Sequence, residues 1–563
     1  MTIPQVVWHR LGKEQLLSVI ERAGRDTLWV MDTETNGLSV RGLGAPHYAW
    51  WIGLMPVGGG NCFIISRDEY DDWGLADVFI HLRFVGHNIR FDFHALRLVP
   101  VLPWVDTMLP LYYQNTACFK SMDHVAQVYG WPNIKTPKLL KQGRIAEVAE
   151  LDLCEYLAND CLLTSLMYQK FGAKIREEDQ ATEMAVLRME QRGLRLIPEK
   201  LAAVEAEVEA ALVGLESDLM AAGMSQGLWC SPLQVGHWLV DHGRGLPRTK
   251  KTKRPSTSAL ALQRLLDSGD IVVTRLLEHR KMLKLKTSFT LPLAAKAQDG
   301  ILYPETRTVS TVTGRFSCAD PNLQQIPKRG PVGKAIRSCM TSPEDIGITS
   351  CDFSQVELRV AAGLSGEPVL LEAFEAGRCP HREVAGRMLD KKPDSVTDDE
   401  RFGAKAVNFG ILNGMGAKRL AVILKKTYAQ AQRFLDNYTS RLFTLHDWME
   451  GEWRDAEAYR IVRNAGGRTR IFSNNSDTRP AISMRVQGTA AEIMRAALVA
   501  VDREGFEPLL SIHDEVLTAG TDPTQAAALQ EVMENAADEA FPDELGAVRF
   551  TAEATTGPSW GDV

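Results

Sequence analysis

The chain has 563 residues, 45% of them hydrophobic and 24% charged, and its 64 Lys and Arg against 71 Asp and Glu leave a net charge of −7. That length predicts about three to five domain-sized units, and the ordinary composition excludes a disordered, collagen-like or disulfide-stapled chain. Taken as a total, the mild negative charge argues against a nucleic-acid partner. Nine cysteines, odd in number and without a Cys-x-x-Cys, predict reduced thiols in a cytosolic setting. The N-terminal "MTIPQVVWHRLGKE" lacks the apolar core of a secretory signal. The longest stretch free of Asp, Glu, Lys and Arg, Gly42–Ser66, is long enough to cross a bilayer. Pro46, Pro56 and Gly58-Gly59-Gly60 break it, so it reads as two buried strands and a turn.

Between about residues 25 and 170, strand-like runs ("TLWVMDTE", "NCFIIS") alternate with helix-like ones ("MDHVAQVYG"), which predicts a sheet with helices packed on it. "WVMDTET" places Asp32 and Glu34 two apart at the end of a β-rich run, and period-two geometry sends both to one face. "GHNIRFDFHAL" supplies Asn88 and Asp92, four apart and on one helical face; "EYLANDCLLTSLMY" supplies Tyr156 and Asp160 at the same spacing. Alone, Asp-x-Glu reads most simply as a solvated strand end. Together, four carboxylates and a phenol can hold two hard cations, Mg2+ or Mn2+, and orient a water for in-line displacement at phosphorus.

Residues 177–220 read as helix interrupted by "RGLRLIPEK". The following "GRGLPRTKKTKRPSTS" carries Arg244, Arg248, Lys250, Lys251, Lys253 and Arg254 and no acid, and a second basic cluster gathers Arg280, Lys281, Lys284 and Lys286. "GITSCDFSQVELRVAAGLSG" begins as a strand and turns into a helix after Asp352. "RFGAKAVNFGILNGMG", in a helical pattern near 398–412, sets Arg401, Lys405 and Phe409 at i, i+4 and i+8. That stripe is either a solvated basic face with one core aromatic, or two cations for a triphosphate with an aromatic against a base or sugar. "PLLSIHDEVLTAG" predicts a hairpin with His513, Asp514 and Glu515 at its turn. An acidic segment without bases follows, from Glu531 to Glu544.

The first carboxylate set resembles the DEDDy 3′→5′ exonuclease family, whose motifs run Asp-x-Glu, Asn-x-x-x-Asp, Tyr-x-x-x-Asp. The resemblance implies a ribonuclease H-like domain in which Asp32, Glu34, Asp92 and Asp160 are metal ligands and Tyr156 positions the attacking water. The second set resembles motifs A, B and C of family A DNA polymerases: "DFSQVELR", "RFGAKAVNFG" and "IHDEV", with "TVTGRFSCADPNLQQIP" upstream of them and "RPAISMRVQGTAAEIM" between the last two. The two resemblances together cover residues 25–563.

What they imply is an α/β and α+β multidomain chain. An exonuclease domain over 1–175 precedes a right-hand polymerase domain over 176–563, with thumb near 190–300, palm near 301–370 and 480–563, and fingers near 371–479. Asp352 and Asp514 are then expected to hold two Mg2+ (Mn2+ a substitute), with Glu515 supporting them. Lys405 is expected on the nucleotide's phosphates and as acid toward pyrophosphate, and Arg401 and His381 on the outer phosphates. Gln355 and Glu357 line the nucleotide site, Glu357 excluding a 2′-hydroxyl, and Phe409 disfavours nucleotides lacking a 3′-hydroxyl. Arg315 and Gln487 are expected at minor-groove acceptors, Asn322 and Gln324 along the same duplex track, Arg479 on primer–template and His513 at the primer terminus. Lys250, Lys251, Lys253 and Arg254 fall in the thumb, where duplex phosphates run.

Three positions depart from the family pattern: Phe353 for Tyr, Asn413 for the Tyr before Gly414, and Ser483 for Asn; template positioning and one minor-groove contact are affected. With the exonuclease pattern starting within about 30 residues of Met1, no 5′-nuclease is expected. The expected protein is a monomer acting on primer–template DNA and dNTPs, with helicase or primase as candidate partners and no membrane. Its expected place is the cytoplasm of a bacterial or phage-infected cell, or an organelle. The −7 thus averages clustered acids against basic tracks.

Overall fold

In the computed structural model, which describes residues 5–563 apart from 43, 44, 46, 119, 120, 133–136, 143, 250, 329, 413, 425 and 547, the first strand-like runs join one mixed sheet. Lys250 and Asn413 therefore lie outside the described residues. The strands are β1 (Val7–His9), β2 (Leu28–Thr35), β3 (Ala49–Pro56), β4 (Asn61–Ser66), β5 (Arg83–Gly86) and β6 (Val105–Asp106), in the order β1-β4-β3-β2-β5-β6. β4, β3 and β2 run antiparallel; β1 is parallel to β4, and β5 and β6 continue parallel to β2. The uncharged stretch is thus the predicted strand pair, β3 and β4, and among the described residues no helix is long and apolar enough to cross a membrane. No disulfide joins any of the nine cysteines.

Both faces of β2 are covered, so its apolar residues do not alternate with polar ones. Trp29 and Met31 enter a core with Phe84 and Phe93, beneath helix α1 (Ile89–Leu96). Val30 faces the other way, against Leu157 and Cys161 of helix α2 (Glu150–Phe171). Asn88, expected on the helix face with Asp92, instead stands just before α1 in a left-handed conformation (φ 66°). The buried Asp106 accepts hydrogen bonds from the backbone N–H groups of Asn88 (3.1 Å), Ile89 (3.2 Å) and Met108 (2.8 Å), which satisfies donors that a helix start leaves without partners.

Helix α3 (Glu177–Arg192) leads out of this unit with buried acids on two flanks. Toward α1, Arg90 pairs with Glu183 (2.5 Å) and Glu190 (2.9 Å), and His94 also meets Glu190 (2.8 Å). Toward the C-terminal half, Arg468, fully buried, bonds Asp179 (2.5 Å) and Glu492 (2.6 Å). A separate clasp lies nearby: the Tyr112 hydroxyl donates to the Thr311 carbonyl (2.5 Å), and Thr116 bonds Val312 (2.7 Å) and Thr469 (2.8 Å).

The predicted interruption at "RGLRLIPEK" is a short strand, Leu194–Leu196, before α4 (Pro198–Ala221). α4 packs against α5 (Ile271–Leu285) in an antiparallel arm: Leu201 and Leu285 share one core cluster, Leu219 and Val273 another. The second sheet holds β7 (Ile348–Phe353), β8 (Pro508–Ile512), β9 (Glu515–Ala519) and β10 (Ala552–Gly557) in the order β8-β9-β7-β10, all antiparallel. Helices α6 (Val356–Ser365), α7 (Pro380–Leu389), α8 (Asp398–Leu412) and α9 (Pro480–Arg503) lie between β7 and β8 in the chain. Cys351 and Phe353 of β7 share one core with Leu358, Val407 and Ile493 of α6, α8 and α9.

Candidate active sites

Asp32, Glu34 and Asp160 bring one carboxylate oxygen each to within 4.8 Å of one another, where the end of β2 passes α2. Val30, Asp32 and Glu34 share a face by period two, and that face is the one α2 covers. Thr33 points to the opposite face, where its hydroxyl donates to Asp92 at 2.6 Å. Asp92, held by Thr33, is not among the three acids whose oxygens meet, but its charge raises Asp32 more than Asp160 or Glu34 does, so it borders the same centre. Tyr156 hydrogen-bonds Asp160.

Burial pushes all four acids upward: Asp92 to about 8 against the pull of the Thr33 hydroxyl, and Asp160 to about 7 against its bonds to Tyr156 and Asn159. Asp32 and Glu34 rise through burial and mutual repulsion. Among the described residues no Lys or Arg pairs with any of them, and hard oxygen donors without a counter-cation fit a divalent ion. Without metal, the folded protein retains protons that the unfolded chain has released above about pH 4, so stability falls as pH rises. In EDTA, the melting temperature is expected to decline from about pH 5 to pH 8 and then level off, with Mg2+ restoring it at the upper end. Asp92→Asn should flatten that decline. A pH-independent melting curve for the metal-free protein contradicts the proton accounting.

On the second sheet, Asp352 lies directly across from Glu515, and Asp514 precedes Glu515 at the hairpin turn. The Phe353 N–H donates to the Asp514 carbonyl (3.0 Å), and Ser350 donates to Glu515 (2.5 Å). His513 takes a left-handed backbone (φ 53°), as does Gln355 (φ 58°) at the start of α6. Non-glycine residues pay about 1–3 kcal/mol for this, and they gather at functional sites. Burial pushes Asp514 up to about 6, Arg315 opposing and Glu357 and Asp352 reinforcing. Lys328 reaches Asp352 (2.8 Å) and Glu515 (3.7 Å).

Arg401, Lys405 and Phe409 do share one partly exposed face of α8, with the Lys405 ammonium 5.8 Å from the Phe409 ring. His381 of α7 stands 5.9 Å from that ring; its Nδ1 meets the Asn408 amide nitrogen (2.9 Å). Burial, with Lys405 and Arg401 beside it, lowers His381 to about 4, so at neutral pH its ring is uncharged. Arg315 is ion-paired with Glu357, and the exposed Arg479 with Asp477. Gln324 bridges the Cys318 N–H (3.1 Å) and the Ser511 carbonyl (3.4 Å), while Asn322 is exposed and Gln487 lies half-buried on α9.

The basic run forms a tight loop closed by Thr249 and Arg254 (2.9 Å) and anchored by Arg280 to the Thr257 carbonyl (2.6 Å). Arg280 is thus a structural tie, and Arg244 pairs with Asp270 (2.6 Å). Lys251, Lys253 and Arg254 remain exposed with no acidic partner among the described residues. Replacing these three with Gln is expected to reduce the slope of log affinity for duplex DNA against log salt by about 2–3. An unchanged slope returns the loop to ordinary solvation.

Sequence reasoning missed Thr33, Asp106, Asn408 and Lys328. Thr33 was legible from the alternation of β2, and Lys328 directly follows "NLQQIP"; Asp106 and Asn408 reach their partners only through tertiary packing.

Two sheets with an acidic centre on each, joined through α3, make a mixed helix–sheet chain with a polymerase-type fold. It matches the POL domain of Pol1 from M. smegmatis, described in complex with DNA primer-template and dNTP, with a TM-score of 0.82 at 24% identity, covering 99% of this chain and 100% of that one. Residues 198–562 match the family model for DNA polymerase family A, and the chain belongs to that family. It is 35% identical over 379 residues to the thermostable DNA polymerase I of Thermus thermophilus, covering 64% of this chain and 45% of that protein. With the DNA polymerase I of Lactococcus lactis it shares 29% over 533 residues, 89% of this chain and 59% of the other. The chain spans about half the length of the curated relatives it matches.

Proposed function

We propose that this chain extends a primer 3′-hydroxyl from dNTPs under template direction at its second-sheet acids, and removes 3′-terminal nucleotides at the acidic centre of Asp32, Glu34 and Asp160. The observation that carries the synthetic half is the meeting of Asp352, Asp514 and Glu515 on adjacent strand ends within a family A polymerase match. The primer–template and dNTP in the description of the structural neighbour favour the same substrates. The three-acid group with Tyr156, on a mixed sheet preceding residue 198, supports a ribonuclease H-like 3′→5′ exonuclease.

Asp352 and Asp514 would hold Mg2+ at one site, and Asp32, Glu34, Asp92 and Asp160 at the other; metal bound there activates an oxygen nucleophile and neutralises charge at phosphorus. The chain's own groups do the rest. Arg401 and neutral His381 orient the outer phosphates, Lys405 hands a proton to departing pyrophosphate, and Phe409 packs against the nucleotide. At the other site the Tyr156 hydroxyl, donating to Asp160, keeps lone pairs free to accept from and aim a water.

One labelled primer–template tests both halves: it should lengthen with dNTPs and shorten without them. Combining Asp32→Ala with Glu34→Ala is expected to slow the shortening by at least about 10³-fold and leave lengthening intact. Shortening at the original rate removes the exonuclease assignment.

A further inference from the structure

The cleft at the second-sheet acids, about 390 Å3, is lined by Lys328 and Arg337 as well as by Asp352, Asp514 and Glu515. Arg337 is committed elsewhere: it donates to the Ile326 carbonyl (3.1 Å) and stacks over Trp560 (4.1 Å). Lys328 instead gives its ammonium to Asp352 Oδ2 (2.8 Å) and approaches Glu515 Oε2 (3.7 Å). Its loop is pinned at the hairpin by the Gln324–Ser511 bond, but the Lys328 side chain is 54% exposed and sits on a flexible stem. An ammonium at hydrogen-bond distance and a divalent ion on the same carboxylate repel, so each weakens the binding of the other. Where Lys328 can go is set by charge: on the proposed function, the polyanion brought to this cleft is the primer–template.

We propose that Lys328 is an exchangeable counter-cation of the polymerase carboxylates. It occupies Asp352 in the DNA-free protein, weakens divalent-metal binding there, and transfers to a primer phosphate when DNA is bound. Metal and DNA affinities are thereby coupled through one side chain, each raising the other by the same factor. The proposal rests on the reading of Asp352 and Asp514 as metal ligands.

The test is Mn2+ binding followed by electron paramagnetic resonance, in full-length protein carrying Asp32→Ala and Glu34→Ala so that only the second site reports. Without DNA, Lys328→Met should tighten Mn2+ by about fivefold, the worth of one partly exposed ion pair, while Lys328→Arg stays at the parent value. With primer–template present, the parent and Lys328→Met should bind Mn2+ alike. Unchanged or weaker Mn2+ binding by Lys328→Met overturns the proposal. Asp352→Asn separates the two levels: if it leaves Mn2+ binding intact, the metal-site reading itself fails. If it abolishes binding while Lys328→Met does nothing, only the counter-cation role fails.

Discussion

Asp352→Asn is expected to lower nucleotide incorporation by at least about 10³-fold while leaving removal of single-stranded 3′ ends at its original rate. The substitution keeps the shape of the side chain and deletes one anionic donor. Because the Asp352 side chain is 40% exposed and its carboxylate is paired only with Lys328 among the described residues, the fold should tolerate the change. Burst kinetics with a single incoming dNTP give the rate of the chemical step, and a melting curve gives the control for folding. Incorporation at the original rate would exclude the polymerase carboxylates proposed here. Loss of both activities together, with an unchanged melting curve, would mean that the two acidic centres do not act separately.

The second large effect is on stability. Arg468→Met should cost about 3–5 kcal/mol, because it strips the closest cation from two buried acids at once. Asp179 and Glu492 are 1% and 4% exposed, and Arg468 bonds both; Arg176 stays 3.4 Å from Glu492 and Arg495 3.9 Å from Asp179, and neither replaces the closer bonds. The same pairing holds Glu492 well below the usual carboxylate range in spite of its burial. Urea unfolding measures the loss. Adding Asp179→Asn should cost less than the sum of the two single changes, since one stranded charge is then gone. A loss below about 1 kcal/mol would show that water reaches the pair.

Much of this was legible before any coordinates. The helix at 398–412, the hairpin at 508–519 and the break between α3 and α4 follow from periodicity and turn chemistry, which are local. The convergence of Asp32, Glu34 and Asp160 was readable because β2 and α2 each carry a short regular spacing. What sequence could not give was commitment: Arg315 to Glu357, His381 to Asn408, Lys328 to Asp352. Such pairs join residues 24 to 42 positions apart through packing that no local pattern encodes. Asn88 shows the complementary failure, because a spacing of four suggests a helix even where the first residue is its left-handed entrance.

The clasp of Tyr112 and Thr116 on Thr311, Val312 and Thr469 has a consequence for how freely the two acidic centres move relative to each other. A body attached at one point can swivel about it in any direction; one attached at two points, here α3 and the clasp, can turn only about the line that joins them. Under the proposed function, the gap between the two acidic centres then varies little, and a primer end would have to fray to cross it. Under that proposal, editing frequency should follow how readily the terminal base pairs melt.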